Sequence, residues 1–187
     1  MRVIAGKYRS RPLRSLRGLD LRPTADRLRE TFFNVLTAGN PEALAGSVWI
    51  DLYAGTGAVG IEAISRGAAM VYFVESAASA AELIRKNLQS LGVESGFEVL
   101  KVDVGRALHT LEGRVTANFV YLDPPYLLEA EYKRTLDALS GSSVIGETTL
   151  VVAEHLKKHD PGEEFGNLRR FRKLEQGDAA LSFYRVA

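Results

Sequence analysis

Four short apolar runs, separated by segments with helical spacing, set the fold that this chain can reach. Val48 to Tyr53, Met70 to Val74, Phe97 to Val102 and Asn118 to Leu122 are too short for buried helices and read as strands. Between them Ala58 to Arg66, Ala77 to Leu91 and Val104 to Leu111 read as helices, with Leu83, Ile84, Leu88 and Leu91 on one face of the second. Gly67 and Gly92 stop two of these segments. Strands joined by right-handed helical crossovers lie parallel, in a sheet covered on both faces. Upstream, Thr24 is placed to cap a helix running to about Leu36, with Leu28, Phe32, Val35 and Leu36 together. Downstream come a helix from Ala130 to Leu139 and a fifth strand from Thr149 to Ala153. Leu168 to Glu175 and Ala180 to Val186 follow; their short link through Gln176-Gly177-Asp178 makes them antiparallel.

The 187 residues suit one domain, and no apolar run nears the roughly 20 residues that span a bilayer. The opening residues Met1 to Lys7 hold too short an apolar stretch for a signal peptide, so a cytoplasmic protein is expected. Cysteine is absent, which excludes disulfides, thiolate catalysis and cysteine-ligated zinc. His109, His155 and His159 show no metal-ligand spacing, so no metal is expected, and the last two are expected to be solvated.

A net charge of +1 conceals an asymmetry. Residues 1–22 hold seven bases (Arg2, Lys7, Arg9, Arg11, Arg14, Arg17, Arg22) against Asp20, a balance of +6, and the remaining 17 bases and 22 acids give −5. A basic end of this kind attracts a polyanion and releases its counterions, although a solvated, frayed terminus has the same composition. Val3-Ile4, Tyr8 and Leu13 flank the turn-like Gly6-Lys7 and favour an ordered hairpin.

Gly55-Thr56-Gly57-Ala58-Val59-Gly60 is a G-x-G-x-x-G turn between a strand and a helix, and Glu75 ends the next strand. The spacing suits a dinucleotide or another nucleoside ligand, with the acid accepting from ribose hydroxyls. Asp51 favours the second, since a carboxylate under the turn opposes a pyrophosphate but tolerates the sulfonium and ammonium of S-adenosylmethionine. Ala54, Gly55, Gly57 and Glu75 are then the backbone and ribose contacts, and Asp103 either accepts from the adenine amine or caps the helix that follows it. Glu75 also reads as an ordinary exposed strand-end acid.

Asp123-Pro124-Pro125-Tyr126 follows the fourth strand, where two prolines end regular structure. An exocyclic amine on a base is a poor nucleophile because its lone pair is delocalised into the ring. Two acceptors on its N–H bonds free that pair and stabilise the charge that develops on methylation. Asp123 and the Pro124 carbonyl can supply them, and Tyr126 offers a ring for an unstacked base. The bland alternative is a rigid turn after a core strand.

Three blocks carry a family resemblance: Arg22-Pro23-Thr24-Ala25-Asp26-Arg27-Leu28-Arg29-Glu30-Thr31-Phe32-Phe33-Asn34, Asp51-Leu52-Tyr53-Ala54-Gly55-Thr56-Gly57 and Asp123-Pro124-Pro125-Tyr126. With the basic segment Ile4 to Arg11 before them, the chain resembles the RsmD family of 16S rRNA guanine-N2 methyltransferases over nearly its whole length. The resemblance implies a Rossmann-like α/β fold with a mostly parallel seven-stranded sheet. It implies a basic hairpin over residues 1–20 and a methyltransferase domain over 21–187. S-adenosylmethionine is the expected donor and S-adenosylhomocysteine the product. The expected substrate is one guanine of 16S rRNA in a partly assembled small subunit, met by a monomer through Arg2, Lys7, Arg9, Arg11, Arg22, Thr24, Arg27 and Tyr126.

Rival readings remain at this point: transfer to adenine or cytosine in DNA or to a protein glutamine, a nicotinamide oxidoreductase, or a non-enzymatic RNA-binding protein. Asp51 disfavours the oxidoreductase, and the last reading leaves Asp123 without a role.

Overall fold

The computed structural model describes residues 1–15, 23–125 and 129–187, without the side chains of 23–25 and 129. After a narrow N-terminal hairpin come α1 (Pro23–Leu36), β1 (Val48–Leu52), α2 (Ala58–Ser65), β2 (Met70–Val74), α3 (Ala78–Leu91), β3 (Phe97–Leu100) and α4 (Val104–Leu111). The second half holds β4 (Ala117–Leu122), α5 (Glu129–Ser140), β5 (Ile145–Leu156), β6 (Glu164–Phe165), β7 (Leu168–Gln176) and β8 (Ala179–Val186). Among the described residues no helix is long and apolar enough to cross a membrane.

The strands form one sheet in the order β3-β2-β1-β4-β5-β8-β7-β6. The first five are parallel and the last three antiparallel to their neighbours. Strands buried on both faces need near-continuous apolar sequence, and β1 and β4 have it. One core packs Phe32 and Phe33 of α1, Ile61 of α2 and Ile84 and Leu88 of α3 against Trp49, Phe73, Tyr121 and Phe183. The other packs Leu108 and Leu111 of α4 and Leu136 and Leu139 of α5 against Ile50, Val120 and Val151. The crossovers reverse direction between β1 and β4, which opens a crevice at the carboxyl ends of those two strands.

Four details depart from the sequence expectation. The sheet has eight strands, because Glu164–Phe165 adds a two-residue edge to β7. β5 begins at Ile145, with a polar lead-in where the Thr149 hydroxyl donates 2.6 Å to the Ala117 carbonyl across a register irregularity. α1 starts at Pro23, whose fixed φ suits a first helical position, so Thr24 lies inside the first turn and not at a cap. His155 is buried in β5, not solvated: the Leu156 carbonyl accepts from Nδ1 and the Ser182 hydroxyl donates to Nε2, both at 2.9 Å. Burial holds that imidazole below its usual pKa.

The N-terminal hairpin is docked. Val3 N donates to Arg11 O at 3.0 Å and Leu13 N to Met1 O at 3.0 Å, which closes the loop. The Glu62 carboxylate, fully buried in α2, accepts from Ile4 N at 2.7 Å, Ala5 N at 2.9 Å and Arg66 Nε at 2.8 Å. Asn87 of α3 accepts from Arg14 N at 2.8 Å and donates to the Arg14 and Thr56 carbonyls at 3.1 and 3.0 Å. The hairpin is thereby tied both to α2 and to the glycine turn.

Candidate functional site

Pairing of β1 with β4 sets Leu52 opposite Leu122, so the glycine turn after β1 and the Asp123 segment after β4 leave the sheet side by side. The Asp123 amide lies 3.5 Å from the Leu52 carbonyl. Asp51 is 2% exposed and its carboxylate accepts from Gly60 N at 2.9 Å, under the first turn of α2. Burial pushes its pKa up to about 8, with the Gly60 amide opposing the rise and Glu75 adding to it. Asp51 is therefore sealed from direct contact and shapes the ligand turn through Gly60. Gly60 serves packing: a Cβ there would sit 2.3 Å from the Phe73 ring, so α2 could not lie as close to β2.

Glu75 is half-buried and ties the turn together, accepting from Gly55 N at 2.9 Å and Ala77 N at 2.8 Å. A carboxylate offers about four acceptor positions, so capacity remains for a pair of hydroxyls. Glu75, Asp103, Val102, Val104, Pro125 and Tyr53 line one cleft. Asp103 caps α4 by accepting from Arg106 N at 3.0 Å, and this hydrogen bond, with the Arg106 guanidinium, holds its pKa below the usual carboxylate range. The cap leaves its second oxygen toward Arg106 Nε at 3.4 Å. Tyr53 bends the chain into this cleft with φ at 59°, a left-handed conformation unusual for a bulky residue. Its hydroxyl reaches Thr135 at 2.7 Å and Glu131 at 3.2 Å on α5. Three acids line the cleft, Glu75, Asp103 and Glu131, the last paired with Arg134 at 3.4 Å, and the excess negative charge fits a nucleoside that offers hydroxyls and an amine and carries positive charge. It opposes a pyrophosphate.

Beside the cleft, Asp123 stands half-buried at the end of β4, and burial together with Glu154 and Asp51 raises its pKa well above the usual carboxylate range. Continuing the β4–β5 register past Leu122 and Ala153 brings Asp123 alongside Glu154. The Tyr121 hydroxyl, buried in the core, donates to the Glu154 carboxylate. The Tyr132 hydroxyl donates to the Glu154 carbonyl at 2.9 Å and lies 3.4 Å from the Pro124 carbonyl, which keeps a lone pair in hand. Glu154 escaped the sequence reading, although a carboxylate near the end of the apolar run Leu150 to Ala153 was a visible signal. Tyr126 lies outside the described residues.

The basic candidates divide. Arg2, Arg9 and Arg27 line one groove between the hairpin and α1, together with Asp26 and Glu30. Lys7 lies over the Tyr8 ring within the hairpin at 5.3 Å, and Arg11 donates to the Ser90 carbonyl of α3 at 3.0 Å. Arg22 and the Thr24 side chain lie outside the described residues.

The family model described as "Conserved hypothetical protein 95" matches residues 1–185. The chain is 33% identical to the "Putative rRNA methyltransferase YlbH" of Bacillus subtilis over 186 residues, covering 99% of this chain and 98% of the relative. It is 32% identical to the "Ribosomal RNA small subunit methyltransferase D" of Escherichia coli over 158 residues, 82% of this chain and 74% of that one. Among solved structures, the "Putative methyltransferase yhhF from Escherichia coli" superposes with a TM-score of 0.85 at 25% identity, covering 100% of this chain and 97% of the other.

Proposed function

The chain belongs to the family described as "Conserved hypothetical protein 95", the RsmD family of ribosomal RNA methyltransferases, and we propose that it transfers a methyl group from S-adenosylmethionine to the N2 amine of a guanine in 16S rRNA. The reaction is assigned to the cytoplasm, on a partly assembled small subunit. The observation that carries the reading is the juxtaposition at the β1–β4 crevice of an acid-lined nucleoside cleft with the acceptors of Asp123 and Pro124.

The residues present fit the donor. Glu75 would take the ribose hydroxyls, Asp103 the adenine amine and the turn at Ala54, Gly55 and Gly57 the amino-acid end, with Asp51 holding the turn from beneath through Gly60. When bound, the donor supplies an electrophilic methyl group on a sulfonium. Asp123 and the Pro124 carbonyl accept the two N–H bonds of the target amine and turn its lone pair out of the ring plane. As charge develops on nitrogen the same acceptors stabilise it, a contribution of roughly 3 kcal/mol for one well-placed group. The methylated amine cation is acidic, so Asp123 orients and stabilises and no strong base is needed. Tyr126 supplies the stacking face for the unstacked base.

Asp123→Ala tests this. The variant should still be stabilised thermally by S-adenosylmethionine and not by NADH, and should lose roughly a hundredfold or more in transfer to small-subunit particles lacking the modification. Stabilisation by NADH in place of S-adenosylmethionine would overturn the donor assignment, and unchanged transfer would remove Asp123 from the reaction.

A further inference from the structure

β7 is the most basic strand of the sheet, with Arg169, Arg170, Arg172 and Lys173 close together. Carboxylates match three of them: Glu164 faces Arg169, Asp160 and Glu163 hold Arg170, and Asp160 and Glu175 hold Lys173. Arg172 pairs with no acid among the described residues, and neither does Arg185 of β8. Both are exposed, and their guanidiniums lie over rings instead, Arg172 at 5.7 Å from the Phe183 centroid and Arg185 at 4.4 Å from that of Phe171. A stacked guanidinium keeps its N–H edge free for a phosphate. The pairing of β7 with β8 slips between Arg170 and Arg172, which leaves Phe171 as the extra residue of a bulge. Consecutive strand residues normally point to opposite faces, yet here Phe171 and Arg172 line the same groove. Phe171 is 51% exposed, the only large apolar side chain so placed among the described residues. A single exposed ring is ordinary on a protein surface. This one stands with two unmatched arginines in a groove whose lining holds no carboxylate.

We propose that this groove is a second RNA contact, taking an unpaired segment of the substrate RNA with a base stacked on Phe171 and phosphates on Arg172 and Arg185; the inference rests on the RNA substrate of the reading above. The groove opens at the amino ends of β1 and β4, where Asn118 accepts from Val48 N at 2.7 Å, at the opposite end of the sheet from Asp123. α1 joins it to the hairpin groove, since Arg27 lines one and Val35 the other, about 12 Å apart along the helix. Single-stranded nucleic acid is held by rings that stack its bases and cations that follow its backbone, and both are present here. A duplex hides its base faces and offers the ring nothing, so the contact selects unpaired RNA. An apolar protein surface seated on Phe171 would strip water from both guanidiniums without giving them partners, whereas a nucleotide satisfies ring and cations together.

The probe is a short unstructured oligoribonucleotide carrying a fluorophore, with its duplex as control, titrated by anisotropy over a range of salt. Leucine at position 171 keeps an apolar contact on Phe183 and removes the stacking face. Phe171→Leu should weaken the single strand about tenfold and the duplex little, and Phe171→Trp should bind the single strand at least as well as the parent. Arg172→Gln and Arg185→Gln together should lower the slope of log affinity against log salt by about 1.4, at roughly 0.7 for each phosphate contact on a single strand. The same variants should weaken binding to unmodified small-subunit particles. Parent affinity and parent slope in every variant would overturn the proposal, and a lowered slope with no discrimination between single strand and duplex would overturn the stacked base. Weaker binding to particles with unchanged binding to RNA would overturn it in favour of a ribosomal protein as the occupant. Melting temperatures check the fold, and should Phe171→Leu be destabilised, the exposed arginine pair decides. A parent protein that binds the single strand through these residues yet transfers no methyl group would overturn the enzymatic reading and leave the contact standing, so the two failures are distinguishable.

Discussion

Asp51 is the residue whose physical state is most displaced by the fold. Its carboxyl has an ordinary value of 3.8 and rises to about 8 in the folded chain through burial. Between those values the folded protein holds a proton that the unfolded chain has released, so stability falls as pH rises across the window, by at most about 1.4 kcal/mol per unit from this group. Asparagine can still accept from Gly60 N and carries no charge. Asp51→Asn should therefore flatten the decline between about pH 5 and about pH 8 and raise unliganded stability at its upper end. Urea unfolding midpoints of both proteins across that range measure it, and parallel pH profiles would show that Asp51 stays ionised. The same substitution should weaken S-adenosylmethionine only above about pH 8, where Asp51 carries its charge. Asp51, Glu75, Asp103 and Asp123 were all legible in the sequence, since each stands near or just past the carboxyl end of a recognisable strand. Glu154 was not, because its meaning lies in cross-strand register, and parallel pairing between segments far apart in sequence is decided by the whole sheet. That Asp51 would be sealed off was equally invisible: burial depends on how closely α2 lies against β2, which Gly60 sets.

At the level of elements, the central strands were readable because burial on both faces demands apolar runs. The edges were not, since β6 is two residues long and the lead-in to β5 is polar. Helix limits fell within a residue or two for the same reason that caps fray. The docking of the hairpin was the larger surprise, and Glu62 accounts for it. One buried carboxylate satisfies two hairpin amides and a guanidinium at once. Gly6 permits the approach, since a Cβ there would stand 1.9 Å from the Ser65 carbonyl. Glu62→Ala leaves these donors unmatched and should cost about 3–5 kcal/mol of global stability or free the hairpin locally. Amide hydrogen exchange separates the two: rapid exchange confined to Ile4, Ala5 and Lys7 marks local release, and a lowered unfolding midpoint marks global loss. Native protection with a native midpoint would show that Glu62 is not the anchor. Because Asn87 joins Arg14 to Thr56, local release should also loosen the glycine turn.

Across the whole molecule the charge is divided, +6 over residues 1–22 and −5 over the rest. Docking fixes where that charge is presented. Arg2, Arg9 and Arg27 converge in one groove between the hairpin and α1, and none makes an ion pair with a described residue. In the crevice acids outnumber bases, so a bare phosphate backbone would be repelled there and an extruded base with a cationic donor accepted. This division predicts two separable kinds of contact: a salt-dependent grip along the groove and a salt-insensitive fit in the crevice. Replacing Arg2, Arg9 and Arg27 together by glutamine should weaken binding to unmodified small-subunit particles and reduce the slope of log affinity against log salt by about 2, since each lost phosphate contact removes roughly 0.7–0.9. Donor affinity should be unchanged, as the groove shares no residue with the cleft. Deletion of the hairpin is a poorer test, because it would bare Glu62 and unsettle α2. A triple variant with the parent's salt slope would show that these arginines face solvent in the complex, and the grip would then have to lie elsewhere on the molecule.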